Sequence, residues 1–558
     1  MCALAADASP TSTANLASGN RIRVGTLAEL QAKGRHLLKT GSKQIAVFAS
    51  ESGVYACNNR CPHEGFPLME GKLTQGADGG GCILTCNWHN WKFDLEGGET
   101  LVGGDKLRRY PVEIVDGEVW LDLSDPPLEE RRTAALESLR RSFRRHEYTR
   151  MARELSRLQQ AKADPLDGLR GALDWTADRF EFGTTHAHAA APDWLALRDD
   201  LAADEQERLV PLLEIVGHLA WDSLREPSYP FPAESRPYDA ASLVAAIEAE
   251  DEAAAIALLR GALDKGLGFR DLEAPLAEAA LAHYQDFGHA AIYVYKTGQL
   301  IDRLGPTSAE SLLCNLVRSL VYATREDLIP EFRAYGEALA AWQEQGADGG
   351  ADGGDGEGSE AVTAEDLRRL SVPKVMQRIL RSSGDRKALY DALVGAASAD
   401  FLQFDLPVAD ATDKGVSHNV GWLDFTHAIT FSNAVRVLCS RHPGLWPQGL
   451  LQIGCFIGRN AAYVDRGYDA RRWRVDDPDA FFEREMRALF DHAQPEYIVS
   501  VHLVKLLSAA KEEITADPAA PWVSDMLAAV NRFLHEPLKR KHAKRTAQQA
   551  LGFVAAES

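Results

Sequence analysis

Two short runs, Cys61-Pro62-His63 and Cys86-Asn87-Trp88-His89, constrain this chain more than any other feature of its 558 residues. Each run offers a thiol and an imidazole on one loop. Two such pairs can hold either a zinc ion or a two-iron cluster. The text around them, from Arg21 to Leu123, reads as short strands separated by turns. Ile45 to Phe48 and Gly53 to Ala56 form one strand pair. Val112 to Val115 and Glu118 to Leu121 flank Asp116-Gly117, a dipeptide favoured in tight type I′ hairpins because both central residues take positive φ. Ser124-Asp125-Pro126-Pro127 then breaks the strand pattern and marks a domain boundary.

The flanks narrow the choice of metal. His63 is followed by Glu64-Gly65-Phe66-Pro67-Leu68, and His89 by Asn90-Trp91-Lys92-Phe93-Asp94-Leu95 and a Glu-Gly-Gly-Glu turn. Residues 21–125 thereby resemble the Rieske family. The resemblance implies a [2Fe-2S] cluster with Cys61 and Cys86 on one iron and His63 and His89 on the other. Such mixed ligation sets potentials of roughly −150 to +300 mV. Respiratory members of the family carry an extra cysteine in each loop, joined as a disulfide. The corresponding positions here are Phe66 and Trp88, so that bridge cannot form, and large apolar groups replace hydroxyl donors to the bridging sulfides. Fewer donors push the potential toward the lower end, which suits a ferredoxin or oxygenase cluster. Two positions depart from the pattern: Asn90 stands where glycine is usual, and the loop Leu73 to Gly81 is long. Cys57 and Cys82 read as small buried strand residues.

Beyond residue 125 the composition turns helical. Residues 126–164 are rich in Arg, Glu and Leu and read as a helical connector. Leu243 to Leu263 is dense in good helix formers, and Pro275 suits the first turn of a helix over Leu276 to His283. A glycine-rich stretch over 346–360 reads as a disordered insertion within a helical domain spanning 165–545, with a tail over 546–558 and a disordered start over 1–20. The fold class is therefore multidomain: a small all-β domain followed by a large all-α domain. A formal charge of −20 argues against nucleic acid as a partner. No run of 18 apolar residues suggests a membrane span, and the first twenty residues lack the basic start of a secretory signal. A cytoplasmic address is expected, with the eight cysteines as thiols or metal ligands.

A Rieske cluster moves one electron, so the histidines after residue 160 are candidates for a second metal. Asp286-Phe287-Gly288-His289 and Asp424-Phe425-Thr426-His427 imitate part of the two-histidine, one-carboxylate site of ring-hydroxylating oxygenases. Neither run has a second histidine one turn later, and that reading stands as the alternative. The segments Gly183 to His188, Phe425 to Arg436 and Tyr497 to Leu507 resemble the questin oxidase-like family instead, over roughly residues 165–540. This resemblance implies a helical enzyme that opens rings of polyketide anthraquinones, with non-haem iron held by several histidines and a carboxylated lysine. His502 and Lys505, three apart, share a helix face. Desolvation readily strips a lysine of its proton, and the neutral amine can then add carbon dioxide to become an anionic carbamate. The candidate ligand set is His427 and His502, one of His186 or His188, then His289, His218 and Lys505. His186 and His188 are two apart and point away from each other on a helix, so one of them is expected to bind. Asp286 is either a ligand or a partner of one.

The resulting expectation is an oxidoreductase fed from NAD(P)H through a flavoprotein or ferredoxin reductase. The cluster passes electrons to mononuclear iron, which activates dioxygen on an aromatic or polycyclic, quinone-like substrate. Joining donor and acceptor in one chain raises their effective concentration. A homo-oligomer is compatible with this reading. A ferredoxin-like carrier fused to a helical binding module is the alternative from outside enzymology.

Overall fold

The computed structural model describes residues 20–75, 81–348, 360–411, 419–538 and 542–557. The expected disordered start, apart from Asn20, and most of the glycine-rich insertion lie outside the described residues, as does the centre of the long loop after Leu73. The chain forms two compact units, Met1–Ser142 and Phe143–Ser558. As expected, the first is a small β domain and the second is helical.

Eleven strands are described in the first unit: β1 (Arg21–Thr26), β2 (Arg35–Thr40), β3 (Lys43–Ser50), β4 (Gly53–Asn58), β5 (Lys72–Gln75) and β6 (Cys82–Thr85) lead to β7 (Lys92–Asp94), β8 (Thr100–Val102), β9 (Arg109–Tyr110), β10 (Val112–Val115) and β11 (Glu118–Asp122). They form three antiparallel sheets, ordered β1-β11-β10, β2-β3-β4-β9 and β5-β6-β7-β8. Strand β3 explains why its sequence runs apolar without a polar break. Ile45 and Val47 enter one core with Val119 and Leu121, while Ala46 and Phe48 enter another with Leu84 and Phe93. A strand buried on both faces needs no alternation. The β10–β11 hairpin turns at Asp116 and Gly117 with φ of 51° and 78°, as the dipeptide predicts.

The helical unit corrects several sequence expectations. The stretch read as a helical connector holds two helices, Leu128–Phe143 and Tyr148–Gln160, and the second buries Met151, Leu155 and Leu158. Leu243 to Leu263 is broken into Ala240–Glu248 and Glu252–Asp264 at Glu250, whose φ is 55°. Pro275 sits inside the helix Phe269–Leu281, which starts earlier because Asp271 caps Gly268 N at 2.8 Å. The helix Ala334–Asp348 runs into the stretch read as an insertion from 346, and most of the expected tail is the helix Ala543–Ala556.

Four helices carry most of the candidate metal ligands: His186–Leu201, His289–Leu304, Trp422–Arg441 and Tyr497–Ala516. Each packs on the next in that order and the last returns to the first, which closes a four-helix ring. A bundle of this kind turns side chains from distant parts of the chain toward one axis. Among the described residues no helix is long and apolar enough to cross a membrane.

Candidate metal centres

The two Cys/His loops of the β domain share one backbone design. Cys61 N donates to Phe66 O and Gly65 N to Cys61 O, both at 2.8 Å. In the second loop Cys86 N donates to Trp91 O at 2.8 Å and Asn90 N to Cys86 O at 3.1 Å. The fifth residue of each loop is left-handed, Gly65 at φ 79° and Asn90 at φ 56°. Asn90 therefore meets the backbone demand that glycine usually meets, because asparagine tolerates this region better than most side chains.

These loops put both thiols inside and both imidazoles toward solvent. Cys61 and Cys86 are buried, and burial, with Cys86 alongside, pushes the Cys61 thiol up to about 11. The Nδ1 atoms of His63 and His89 face each other at 3.1 Å, with the His63 ring stacked on Trp91 at 4.6 Å. Phe66 and Trp88, at the positions of the missing cysteines, stack on one another at 3.9 Å. Glu64, which the loop spacing alone does not single out, lies 3.8 Å from Nε2 of His89 and 4.0 Å from Nε2 of His63. Two adjacent thiols and two facing Nδ1 atoms are the donor set that a [2Fe-2S] cluster of mixed ligation uses. Cys57 and Cys82 are buried on β4 and β6, away from this role.

In the helical unit, four imidazoles converge inside the four-helix ring. Nε2 of His289 lies 3.2 Å from Nε2 of His186 and 2.9 Å from Nε2 of His427. His502 closes the group, with its ring 5.1 Å from those of His186 and His427. Donor atoms of His186, His427 and His502 all lie within 4.8 Å of one another. The backbone fixes which nitrogen faces inward. His289 Nδ1 donates to Asp286 O, His427 Nδ1 to Leu423 O and His502 Nδ1 to Ile498 O. Each of these three rings thus turns an Nε2 lone pair inward. Burial, together with nearby Lys505, holds His289 down to about 3 and the other three well below the ordinary imidazole value, so all four are neutral at pH 7.

The Nε2 atoms of His289 and His427, 2.9 Å apart, both carry lone pairs and cannot hydrogen-bond one another. Two imidazoles at adjacent positions on one ion, each at about 2.1 Å, stand about 3.0 Å apart, which matches the spacings found here. Two further atoms carry the same message. His502 Nε2 and Lys505 Nζ are buried without a hydrogen-bond partner, an arrangement that costs free energy unless something binds them. Burial pushes the Lys505 ammonium down to about 8. The donor set fits a transition metal preferring imidazole.

The remaining candidates fall outside this group. His188 completes the start of its helix: Thr185 N donates to its Nδ1 at 3.2 Å, and Phe180 packs edge-on against its ring. Of the pair His186 and His188, only His186 faces the cluster. His218 pairs through Nε2 with Asp222 at 3.3 Å and stacks on Tyr497. His283 is held by Glu248 and Asp327, and no continuous helix joins it to His289. Asp286 contributes its carbonyl, not its carboxylate, from a turn in which Asp286, Phe287 and Gly288 are all left-handed. Asp424 caps Gly421 N and pairs with Arg459 at 2.9 Å. A cleft of about 540 Å³ reaches the cluster at His186 and is walled by His146, His218, Trp221, Asp222 and Tyr497.

The Rieske [2Fe-2S] domain profile matches residues 20–110. The chain is 32% identical over 108 residues to the 3-phenylpropionate/cinnamic acid dioxygenase ferredoxin subunit of Escherichia coli K12, covering 19% of this chain and 96% of that protein. It is 30% identical over 90 residues to the ferredoxin component of the alkene monooxygenase system of Xanthobacter autotrophicus, covering 16% and 70%. It is also 34% identical over 98 residues to 4beta-methylsterol monooxygenase of Methylococcus capsulatus, covering 15% and 25%. Through its N-terminal domain the chain belongs to the Rieske [2Fe-2S] family, with the electron-transfer role of that domain. It spans about a quarter of the length of the methylsterol monooxygenase, and these similarities lie in the Rieske domain alone.

Proposed function

We propose that this chain is a Rieske oxygenase of an unusual build, in which the helical unit is questin oxidase-like and holds a mononuclear non-haem iron. Cys61 and Cys86 would hold one iron of the cluster, and His63 and His89 the other. His186, His289, His427 and His502 would hold the single iron. Lys505 would add an oxygen donor once its neutral amine has taken up carbon dioxide. The observation that carries this reading is the convergence of four neutral imidazoles with an unpartnered lysine in a buried bundle core.

When bound, the cluster supplies electrons singly and the ferrous ion supplies dioxygen activation. The chain's own residues do the rest. The three backbone carbonyls hold the imidazole tautomers. The cleft at His186 offers aromatic walls, Trp221 and Tyr497, to an aromatic or polycyclic, quinone-like substrate. Electrons would come from NAD(P)H by way of a flavoprotein or ferredoxin reductase. A ring-hydroxylating site is less well supported, because neither Asp286 nor Asp424 offers a carboxylate to the cluster.

Iron and acid-labile sulfide per chain, measured on anaerobically purified protein, test the proposal. About three irons to two sulfides is the expected result. Two irons to two sulfides, with no ferrous nitrosyl signal after reduction and addition of nitric oxide, would leave an electron carrier.

A further inference from the structure

Another cleft in the helical unit shares no lining residue with the one beside His186. It encloses about 400 Å³ and is lined from the helices Arg386–Leu402, Trp422–Arg441 and Tyr497–Ala516, with Trp446 and Trp522 beside them. Two of its three aromatic walls are pinned. Tyr390 OH donates to Oε2 of Glu513 at 2.7 Å, and Trp522 Nε1 donates to Oδ1 of Asp391 at 3.1 Å. Trp446, half-buried, meets the Tyr390 ring edge-on at 5.8 Å. The carboxylates of the wall are all engaged. Glu513 accepts from Tyr390, Asn433 and Arg436, Asp391 from Trp522 and Lys387, and Asp517 from Lys387 at 2.8 Å. The two arginines are not. Arg436 donates through Nε to Glu513 at 2.7 Å, but its terminal nitrogens have no acceptor among the described residues and are not sealed, the side chain being 26% exposed. Arg386, at the start of its helix, is exposed and has no partner among the described residues.

Guanidinium N–H groups without acceptors, set beside fixed aromatic walls, complement a planar ring that bears a carboxylate. A guanidinium fork meets both oxygens of the anion, and the ring buries its surface against indole and phenol. We propose that this cleft binds an aromatic carboxylate, with Arg436 and Arg386 at the anionic end and Trp446 against the ring. The volume is that of a small-molecule site, and the pinned walls reduce what binding must order. Arg436 also borders a larger cleft of about 720 Å³, on whose wall Lys511 lies. Tyr295 is the one aromatic residue lining that cleft among the described residues, so the ring of the ligand selects the smaller one. None of the imidazoles of the candidate metal centre lines the smaller cleft. The acid bound there is therefore a ligand held apart from the metal, and the site goes beyond the oxygenase reading without depending on it.

The test titrates 2-naphthoate, and its uncharged counterpart 2-naphthamide, into the full chain by calorimetry. The acid should bind with a Kd below about 1 mM and about tenfold more tightly than the amide. Arg436→Lys keeps a cation beside Glu513 but loses the fork, and should weaken 2-naphthoate about tenfold while leaving 2-naphthamide unchanged. Arg386→Gln, at an exposed position, should weaken the acid about threefold and likewise spare the amide. Trp446→Ala should weaken both probes. Circular dichroism checks that each variant keeps the parent's helical content, and if Arg436→Lys does not, the exposed Arg386→Gln carries the same comparison. Equal affinity for the two probes, no binding of 2-naphthoate, or unchanged affinity in Arg386→Gln and Trp446→Ala would overturn the proposal. So would a loss on Trp221→Ala or Lys511→Met with none on Trp446→Ala, because the probe would then occupy one of the other clefts.

Discussion

Nζ of Lys296 sits 2.8 Å from Oδ1 of Asp193, and both side chains are only 4% exposed. The pair spans the helices that carry His289 and His186 and stands close enough to Lys505 to influence its charge. Gln299 gives Lys296 a second acceptor at 3.0 Å, whereas Asp193 Oδ2 has none. Asp193→Ala would leave a buried ammonium without its counter-charge. It should destabilise the helical unit by about 3–5 kcal/mol. A double substitution, Asp193→Leu with Lys296→Met, should cost much less, because no charge remains to be desolvated. Denaturant unfolding followed by far-ultraviolet circular dichroism distinguishes these outcomes; equal losses would mean the pair is not electrostatically isolated.

His427→Ala should remove about one iron per chain and leave the two cluster irons, with their low-g resonance, intact. His188→Ala is the contrast. Its ring completes a helix start, so the substitution should cost about 1 kcal/mol of stability while iron content holds. Metal analysis of both variants checks the pair, and iron loss from His188→Ala would move that residue into the centre.

Lys505→Arg should lose the helical-domain iron or its turnover, because a guanidinium keeps its proton and cannot form a carbamate. Lys505→Ala should fail likewise, and excess bicarbonate should restore neither. Carbon-13 resonance of protein prepared in labelled bicarbonate should show one added carbonyl in the parent chain and none in the variants. Full iron and full turnover in Lys505→Arg would leave a four-histidine centre.

For the β domain, Cys86→Ser or His89→Cys should abolish the Rieske absorption and resonance, since each changes a donor. Asn90→Gly should be tolerated, because φ at this position is 56°. Asn90→Val should cost roughly 1–2 kcal/mol through its branched Cβ. Visible spectra and thermal melts of these proteins check the order.

How far the sequence alone reaches depends on where the donors lie. Cys61, His63, Cys86 and His89 sit in two loops whose spacing and flanks are local, so the proposed first centre rests on short stretches of sequence. The proposed second centre would join His186, His289, His427 and His502, and the first three of these stand more than 100 residues apart in sequence. No short motif records that meeting. Some exclusions were nevertheless legible. Thr185 three residues before His188, and Gly421 three before Asp424, are spacings of helix caps. Asp222 four residues after His218 is a helical pair that already explains the imidazole. The stacking on Tyr497 and the lone Nδ1 of His218 were not legible, because both depend on packing between helices far apart in the chain.

The closed ring of four helices has a thermodynamic consequence. An ion held by all four imidazoles is bound by the native bundle and not by the unfolded chain, so its binding free energy adds to folding stability. At a thousandfold excess over its dissociation constant the gain is about 4 kcal/mol. Chelators would then act on the helical unit as denaturants do, lowering its melting temperature in proportion to the metal withdrawn. Proteolytic loss of any one of the four segments would not weaken the chelate by a quarter. It would remove the geometry on which the other three imidazoles depend, and the metal-dependent part of the stability would vanish in a single step.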